Sequence, residues 1–185
     1  MTSGASVGGD EPLRLFLALR LPDEALDAIE AWQHSELRRV RVVPREHLHV
    51  TLAFLGARPA RELDGIIDAL RGAAAEASAE MALTPVRYRE TRSVGMLVLE
   101  DEGDRAGALA TDVQGRLERL GVYRRERRPW LAHVTVARFR DAPGLRPTSV
   151  PVRTFVPSDA AAYLSRLRPG GAQYDVLATA ALGAR

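Results

Sequence analysis

The tripeptide His-Val-Thr occurs twice in the chain, and this repetition constrains the fold more than any other feature. The two histidines, His49 and His133, lie 84 positions apart (133 minus 49) in a chain that contains four histidines. Each copy follows a helical pattern and an arginine-rich segment, and each lies in a short stretch that is typical of a strand, "LHVTLAFL" and "LAHVTVAR". The repetition predicts two strands in corresponding places that face one cleft.

Side chains on a strand alternate between its two faces. His49 and Thr51 therefore share one face of the first strand, and His133 and Thr135 share one face of the second. The opposite faces are predicted to pack on the core, and they carry Leu48, Val50, Leu52 and Phe54 in the first strand and Val134 and Val136 in the second.

The paired side chains suit acid–base chemistry on a phosphate. An imidazole has an unperturbed pKa of about 6.5 and moves protons near neutral pH, and a threonine hydroxyl donates a hydrogen bond to an anionic oxygen. One such pair in a strand is most often structural, but two copies in corresponding contexts favour a site. A zinc site usually has three or four protein ligands, and no third ligand stands at a telling spacing. We therefore expect neither a metal nor a cofactor.

Arginines cluster on both approaches to the histidines. All 26 basic residues are arginine, which the codon usage of a GC-rich genome explains in number but not in placement. Arg128 and Arg138 are the candidate phosphate contacts, each five positions from His133. On an unbroken strand Arg138 would face away from the cleft, so it needs a bulge or the end of the strand to reach in. His47 has no counterpart in the second copy and is predicted to lie at the rim.

The composition is that of a globular protein. The 185 residues are 46% apolar and 27% charged, and they include no cysteine, which excludes disulfides and thiolate metal sites. No stretch reaches the length of a membrane helix. Residues 1–11 are polar and lack the features of a signal peptide. We expect a disordered tail at 1–11, a single domain at 12–185, and a cytoplasmic monomer.

Strand-like and helix-like patterns alternate along the chain. Helices are predicted at 23–39, 59–78 and 104–121, and strands at 13–22, 48–55, 81–93, 94–102 and 130–140, with further strands after residue 150. Short connections near 85–100 and 150–180 favour antiparallel pairing and an α+β class. Neither a dinucleotide-binding fingerprint nor a P-loop is present.

The segments "HVTLAFLG" and "RPWLAHVTVAR" resemble the two signatures of the two-histidine (2H) phosphoesterases. The resemblance is strongest to the RNA 2′,3′-cyclic phosphodiesterases, also described as 2′-5′ RNA ligases, and it extends to the opening "LRLFLALRLP" and the closing "GGAQYDVLATAAL". It implies a bilobal α+β fold with pseudo-twofold symmetry, in which two antiparallel sheets with outer helices flank a central cleft. Ala132 stands where this family usually has proline.

The resemblance also implies roles for individual residues. His49 resembles the proton donor, His133 the proton acceptor, and Thr51 and Thr135 the hydroxyls that hold the phosphate. The implied reaction is hydrolysis of a 2′,3′-cyclic phosphate on an RNA or nucleotide end to a 2′-phosphomonoester. Two alternatives stay open: a module that binds RNA ends without turnover, and a phosphoesterase for another cyclic or 2′-5′ linked nucleotide.

Overall fold

The structure is a computed structural model that describes residues 12–151 and 153–183. The described residues form three α-helices, α1 (Asp23–Glu36), α2 (Leu63–Glu76) and α3 (Arg105–Arg119). Their strands are β1 (Pro12–Arg20), β2 (Arg41–Val42), β3 (His49–Pro59), β4 (Leu83–Glu90), β5 (Val94–Asp101), β6 (His133–Arg138), β7 (Asp159–Arg168) and β8 (Gly171–Ala180). The tail predicted at 1–11 lies outside the described residues.

The three predicted helices are confirmed, each somewhat shorter than its sequence pattern. Acidic Asp23 and Glu24 occupy the first turn of α1, where they complement the positive end of the helix dipole. Gly121 follows α3 with a φ of +71°, a left-handed conformation that ends helices and favours glycine. No helix among the described residues is long and apolar enough to cross a membrane.

The strands form one antiparallel sheet in the order β4-β5-β6-β3-β1-β7-β8, with β2 also paired to β6. The α+β class is thus confirmed, but the prediction of two separate sheets is corrected. The sheet is continuous because β3 and β6 pair directly, with Val50 opposite Val134. Its order still has the expected symmetry about this junction, since β5 lies beside β6 as β1 lies beside β3.

All three helices pack against the same face of the sheet. The main core joins Leu15, Leu17 and Leu19 of β1 with buried residues of each helix. It includes Trp32 of α1, which is 5% exposed. On the other face Phe16 and Tyr163 belong to a separate small cluster. The second face is therefore left uncovered by the helices.

Candidate functional site

The pairing of β3 with β6 places the histidine and threonine side chains of both His-Val-Thr copies on the face of the sheet that the helices do not cover. In an antiparallel pair, the residues on either side of two opposed residues all point to the face that the opposed pair does not use. Val50 and Val134 are opposed and fully buried toward the helices. The flanking side chains therefore share the other face in a diagonal, twofold arrangement, and they are His49, Thr51, His133 and Thr135.

These side chains lie in or beside a cleft of about 960 Å³. His49, Thr51 and Thr135 line it, and His133 is half-buried at the same strand junction. The charged side chains in the lining are the arginines Arg14, Arg41 and Arg138 and the carboxylate Glu46. A cleft of this size accommodates a nucleotide, and the excess of arginine favours an anion.

A β-bulge brings Arg138 into the cleft. Val136 is an extra residue in β6, because consecutive residues of β5 lie opposite Ala137 and Thr135. Val136 and Ala137 are consequently both buried, and the alternation resumes one residue late. Arg138 thereby points to the same face as His133 and lines the cleft. The sequence indicated that Arg138 could reach the cleft only through a bulge or the end of the strand, and the structure contains the bulge.

The first motif strand contains the same bulge, and there it corrects a prediction. Leu52 is the extra residue, since consecutive residues of β1 lie opposite Ala53 and Thr51. Phe54, which alternation assigned to the core, is instead 51% exposed and lines the cleft. Phe54 follows His49 by the same five positions as Arg138 follows His133, so the two residues occupy corresponding positions of the two strands.

Each histidine is held by a backbone carbonyl two residues earlier. His49 Nδ1 lies 2.7 Å from the carbonyl oxygen of His47, and His133 Nδ1 lies 2.8 Å from that of Leu131. A carbonyl only accepts, so Nδ1 carries the hydrogen in both rings. Nε2 is the remaining nitrogen in each, and that of His49 lies 3.1 Å from Thr51 Oγ1. Both imidazoles thus present the nitrogen that can exchange a proton with a substrate.

The surroundings of His49 favour its neutral form. Burial lowers its pKa to about 4, and the positive charges of His133 and Arg138 act in the same direction. The hydrogen bond to the carbonyl of His47 opposes this change without cancelling it. Before substrate binds, His49 is therefore a neutral imidazole near pH 7, with a lone pair on Nε2.

The sequence model of the 2′-5′ RNA ligase superfamily matches residues 21–168, which include both motif strands. The chain belongs to this superfamily. The resemblance of its signature segments to two-histidine phosphoesterases is thus confirmed. A search of curated proteins found no match.

Solved structures share the fold over nearly the whole length of this superfamily member. A protein described as a phosphoesterase has a TM-score of 0.79 and 25% identity, covering 93% of this chain and 99% of its own. The protein TT0787 of Thermus thermophilus has a TM-score of 0.79 and 29% identity, covering 92% and 98%. E. coli LigT complexed with 3′-AMP has a TM-score of 0.74 and 26% identity, covering 93% and 99%.

Residues far apart in the sequence complete the surroundings of His49. Its ring centroid lies 4.9 Å from that of Phe16 and 5.9 Å from that of Tyr174. His47, which was predicted to lie at the rim, lines the cleft, and its ring centroid lies 4.3 Å from that of Tyr174. Sequence reasoning missed Phe16 and Tyr174 because β1 and β8 meet at the cleft only through long-range pairing.

The two candidate arginines have different surroundings. Arg138 lines the cleft, whereas the side chain of Arg128 is 87% exposed and pairs with Glu126 of its own loop at 3.4 Å. Arg128 is not part of the cleft lining. Ala132, where the resemblance led us to expect proline, is 5% exposed, and its carbonyl accepts a hydrogen bond from Leu99 N at 2.9 Å. The entry to β6 is thus anchored without proline.

A metal site would need a cluster of ligand side chains, and the part of the chain that the structure describes contains none. No group of three or more histidine, cysteine, aspartate or glutamate side chains converges there.

Protonation of His49 should destabilise the folded protein. Its pKa falls from 6.5 to about 4 on folding, so between these values the unfolded chain binds more protons than the folded one. The free energy of unfolding should therefore fall as the pH is lowered from 6.5 to 4. Urea unfolding across this range measures the slope, and His49→Gln should flatten it. An unchanged slope in that variant would show that another group is responsible.

Proposed function

We propose that this protein is a phosphodiesterase that hydrolyses 2′,3′-cyclic phosphates at the ends of RNA or nucleotides and leaves a 2′-phosphomonoester. One observation carries the proposal: two His-x-Thr pairs share one face of the sheet, each with its imidazole Nε2 available, beside a cleft rich in arginine. A pair of imidazoles can supply both the base and the acid that such a hydrolysis needs.

In the proposed reaction His133 is the base and His49 the acid, as in the family that the signatures resemble. Nε2 of His133 takes a proton from water as the water oxygen bonds to phosphorus. The bond from phosphorus to the 3′ oxygen breaks, and Nε2 of His49 gives its proton to that oxygen. Thr51, Thr135 and Arg138 bind the non-bridging oxygens and stabilise their charge as the transition state forms.

The acid role of His49 depends on the substrate's charge. Before substrate binds, burial and nearby positive charge, including that of Arg138, keep its pKa at about 4. A phosphodiester anion bound against Nε2 opposes this positive charge and favours the imidazolium. Substrate binding thus promotes the protonation that the leaving oxygen requires.

The remainder of the cleft suits a nucleoside. Phe54 presents an exposed ring, and Arg14 Cζ lies 5.0 Å from the centre of that ring. An aromatic face beside a guanidinium offers a stacking surface for a base. The complex of E. coli LigT with 3′-AMP supports a nucleotide as the ligand of this cleft too.

A panel of cyclic nucleotides and RNAs with cyclic phosphate ends tests the function. We expect turnover of 2′,3′-cyclic ends, with the phosphate retained at the 2′ position in the product identified by NMR. Because every proposed step uses a protein side chain, EDTA should leave the rate unchanged. Salt-dependent binding without any product would instead indicate an RNA-end binding module. Turnover confined to 3′,5′-cyclic or 2′-5′ linked nucleotides would reassign the substrate.

A further inference from the structure

We infer that Gln33 and Gln114 are positioning residues that hold the two β-bulges of the site. Both side chains are buried, with 2% and 6% exposure. Gln33 Nε2 donates to the carbonyl of Val136 at 2.8 Å, and Gln114 Nε2 donates to the carbonyl of Leu52 at 2.9 Å. These two carbonyls belong to the extra residues of the bulges in β6 and β3.

The two contacts cross the junction between the motif strands. Gln33 belongs to α1, which follows β1, the neighbour of β3, yet it binds β6. Gln114 belongs to α3, which follows β5, the neighbour of β6, yet it binds β3. Each accepting carbonyl lies three positions after the motif histidine of its strand. A helix of one half of the sheet therefore fixes the bulge of the other half, twice and in corresponding places.

Gln33 also ties the cleft wall to β6. The same Nε2 donates to the carbonyl of Val43 at 2.9 Å, and Val43 N donates to the carbonyl of Val136 at 2.9 Å. Val43 lines the cleft. Gln33 thus fixes α1, the wall segment after β2 and the bulge of β6 with one amide group.

The bulges decide which way the next cleft residue points. Residues five apart on a regular strand face opposite sides, and one extra residue between them restores a common face. Val136 does this for Arg138, and Leu52 does it for Phe54. Removing either amide takes one donor from a buried carbonyl, which is costly, although the Val136 carbonyl keeps the bond from Val43 N. Either removal therefore favours rearrangement of its bulge. The glutamines are thereby predicted to act on the reaction through Arg138 and Phe54.

This inference rests on the proposed function, because it assigns Arg138 to the phosphate and Phe54 to the base. Double-variant cycles test it with Gln33→Met and Gln114→Met, each combined with Arg138→Met and with Phe54→Leu. Methionine keeps the length of glutamine and removes the donor. Each single glutamine variant should lower kcat/KM for a 2′,3′-cyclic nucleotide by about tenfold, the effect of one buried hydrogen bond.

The pattern of coupling distinguishes positioning from a general structural role. The loss from Gln33→Met should largely disappear in the Arg138→Met background and persist in the Phe54→Leu background. Gln114→Met should show the reverse. Losses that multiply in all four combinations would overturn the inference. Ile66→Val, a core change in α2, is the control for lost stability and should leave kcat/KM unchanged below its unfolding temperature.

Two further measurements keep the outcome clear. If a methionine variant does not fold, Gln33→Glu or Gln114→Glu replaces it, and its activity should fall as rising pH ionises the new carboxyl and removes its donor. Amide hydrogen exchange needs no activity and should accelerate at residues 136–138 in Gln33→Met and at 52–54 in Gln114→Met. If the wild-type protein turns over no cyclic nucleotide, the proposed function is wrong. Amide hydrogen exchange then still tests whether the glutamines hold the bulges. Unchanged exchange at both bulges would overturn the inference by itself.

Discussion

Replacing His49 or His133 by alanine is expected to lower kcat/KM for a 2′,3′-cyclic nucleotide by about 10²–10⁴, the usual contribution of a general acid or base. Each Nδ1 is held by a backbone carbonyl, so each variant removes the one nitrogen that can exchange a proton. His34→Ala is the matched control, because that histidine is exposed on α1. Full turnover by both motif variants would contradict the mechanism.

A substrate with a better leaving group separates the two roles. An aryl phosphodiester that departs as a stable phenolate needs little protonation, so the loss in the variant of the acid should shrink. The loss in the variant of the base should persist, because water still has to be deprotonated. We expect the aryl substrate to restore part of the activity of His49→Ala. If it restores the activity of His133→Ala instead, His133 is the acid and His49 the base. The double variant should lose much less than the product of the single losses.

The local features of the site follow from the sequence because they depend on alternation along a strand. His49 and Thr51 share a face by position, as do His133 and Thr135, and the structure places all four on one side of the β3–β6 junction. The helices and the antiparallel hairpin of β4 and β5 likewise follow local periodicity and short connections.

Alternation failed at Phe54 and left Arg138 undecided for one physical reason. A bulge adds a residue to a strand, and the pairing partner determines where it lies. The sheet was misjudged for a related reason, since one contact between Val50 and Val134 decides whether two halves are separate or continuous. The sequence analysis missed Gln33 and Gln114 because each amide binds a carbonyl that is distant in the sequence. These features depend on long-range contacts, which local patterns do not encode.

Arg138→Met should lower kcat/KM by about 10²-fold, comparable to the loss of a donor that stabilises transition-state charge. Arg138 is the cleft arginine on the second motif strand, and its charge lowers the pKa of both His47 and His49. The variant should therefore also raise the pKa of His49 in the substrate-free protein, which an NMR titration of the ring measures. Loss of burial would raise the same pKa, so the rise is assigned to the Arg138 charge only if urea unfolding shows an unchanged free energy of unfolding in the variant.

Salt dependence gives a second, independent readout of the same residue. If Arg138 binds the phosphate, its removal should reduce the dependence of KM on ionic strength, since one charge contact with the substrate is lost. Arg71→Met is the matched control, because Arg71 lies on α2, on the helix-covered side of the sheet, with a 59% exposed side chain. It removes the same net charge from the protein and should change kcat/KM less than about twofold. Equal losses of kcat/KM in the two variants would mean that the net charge of the protein attracts the substrate. The position of Arg138 in the cleft would then not matter.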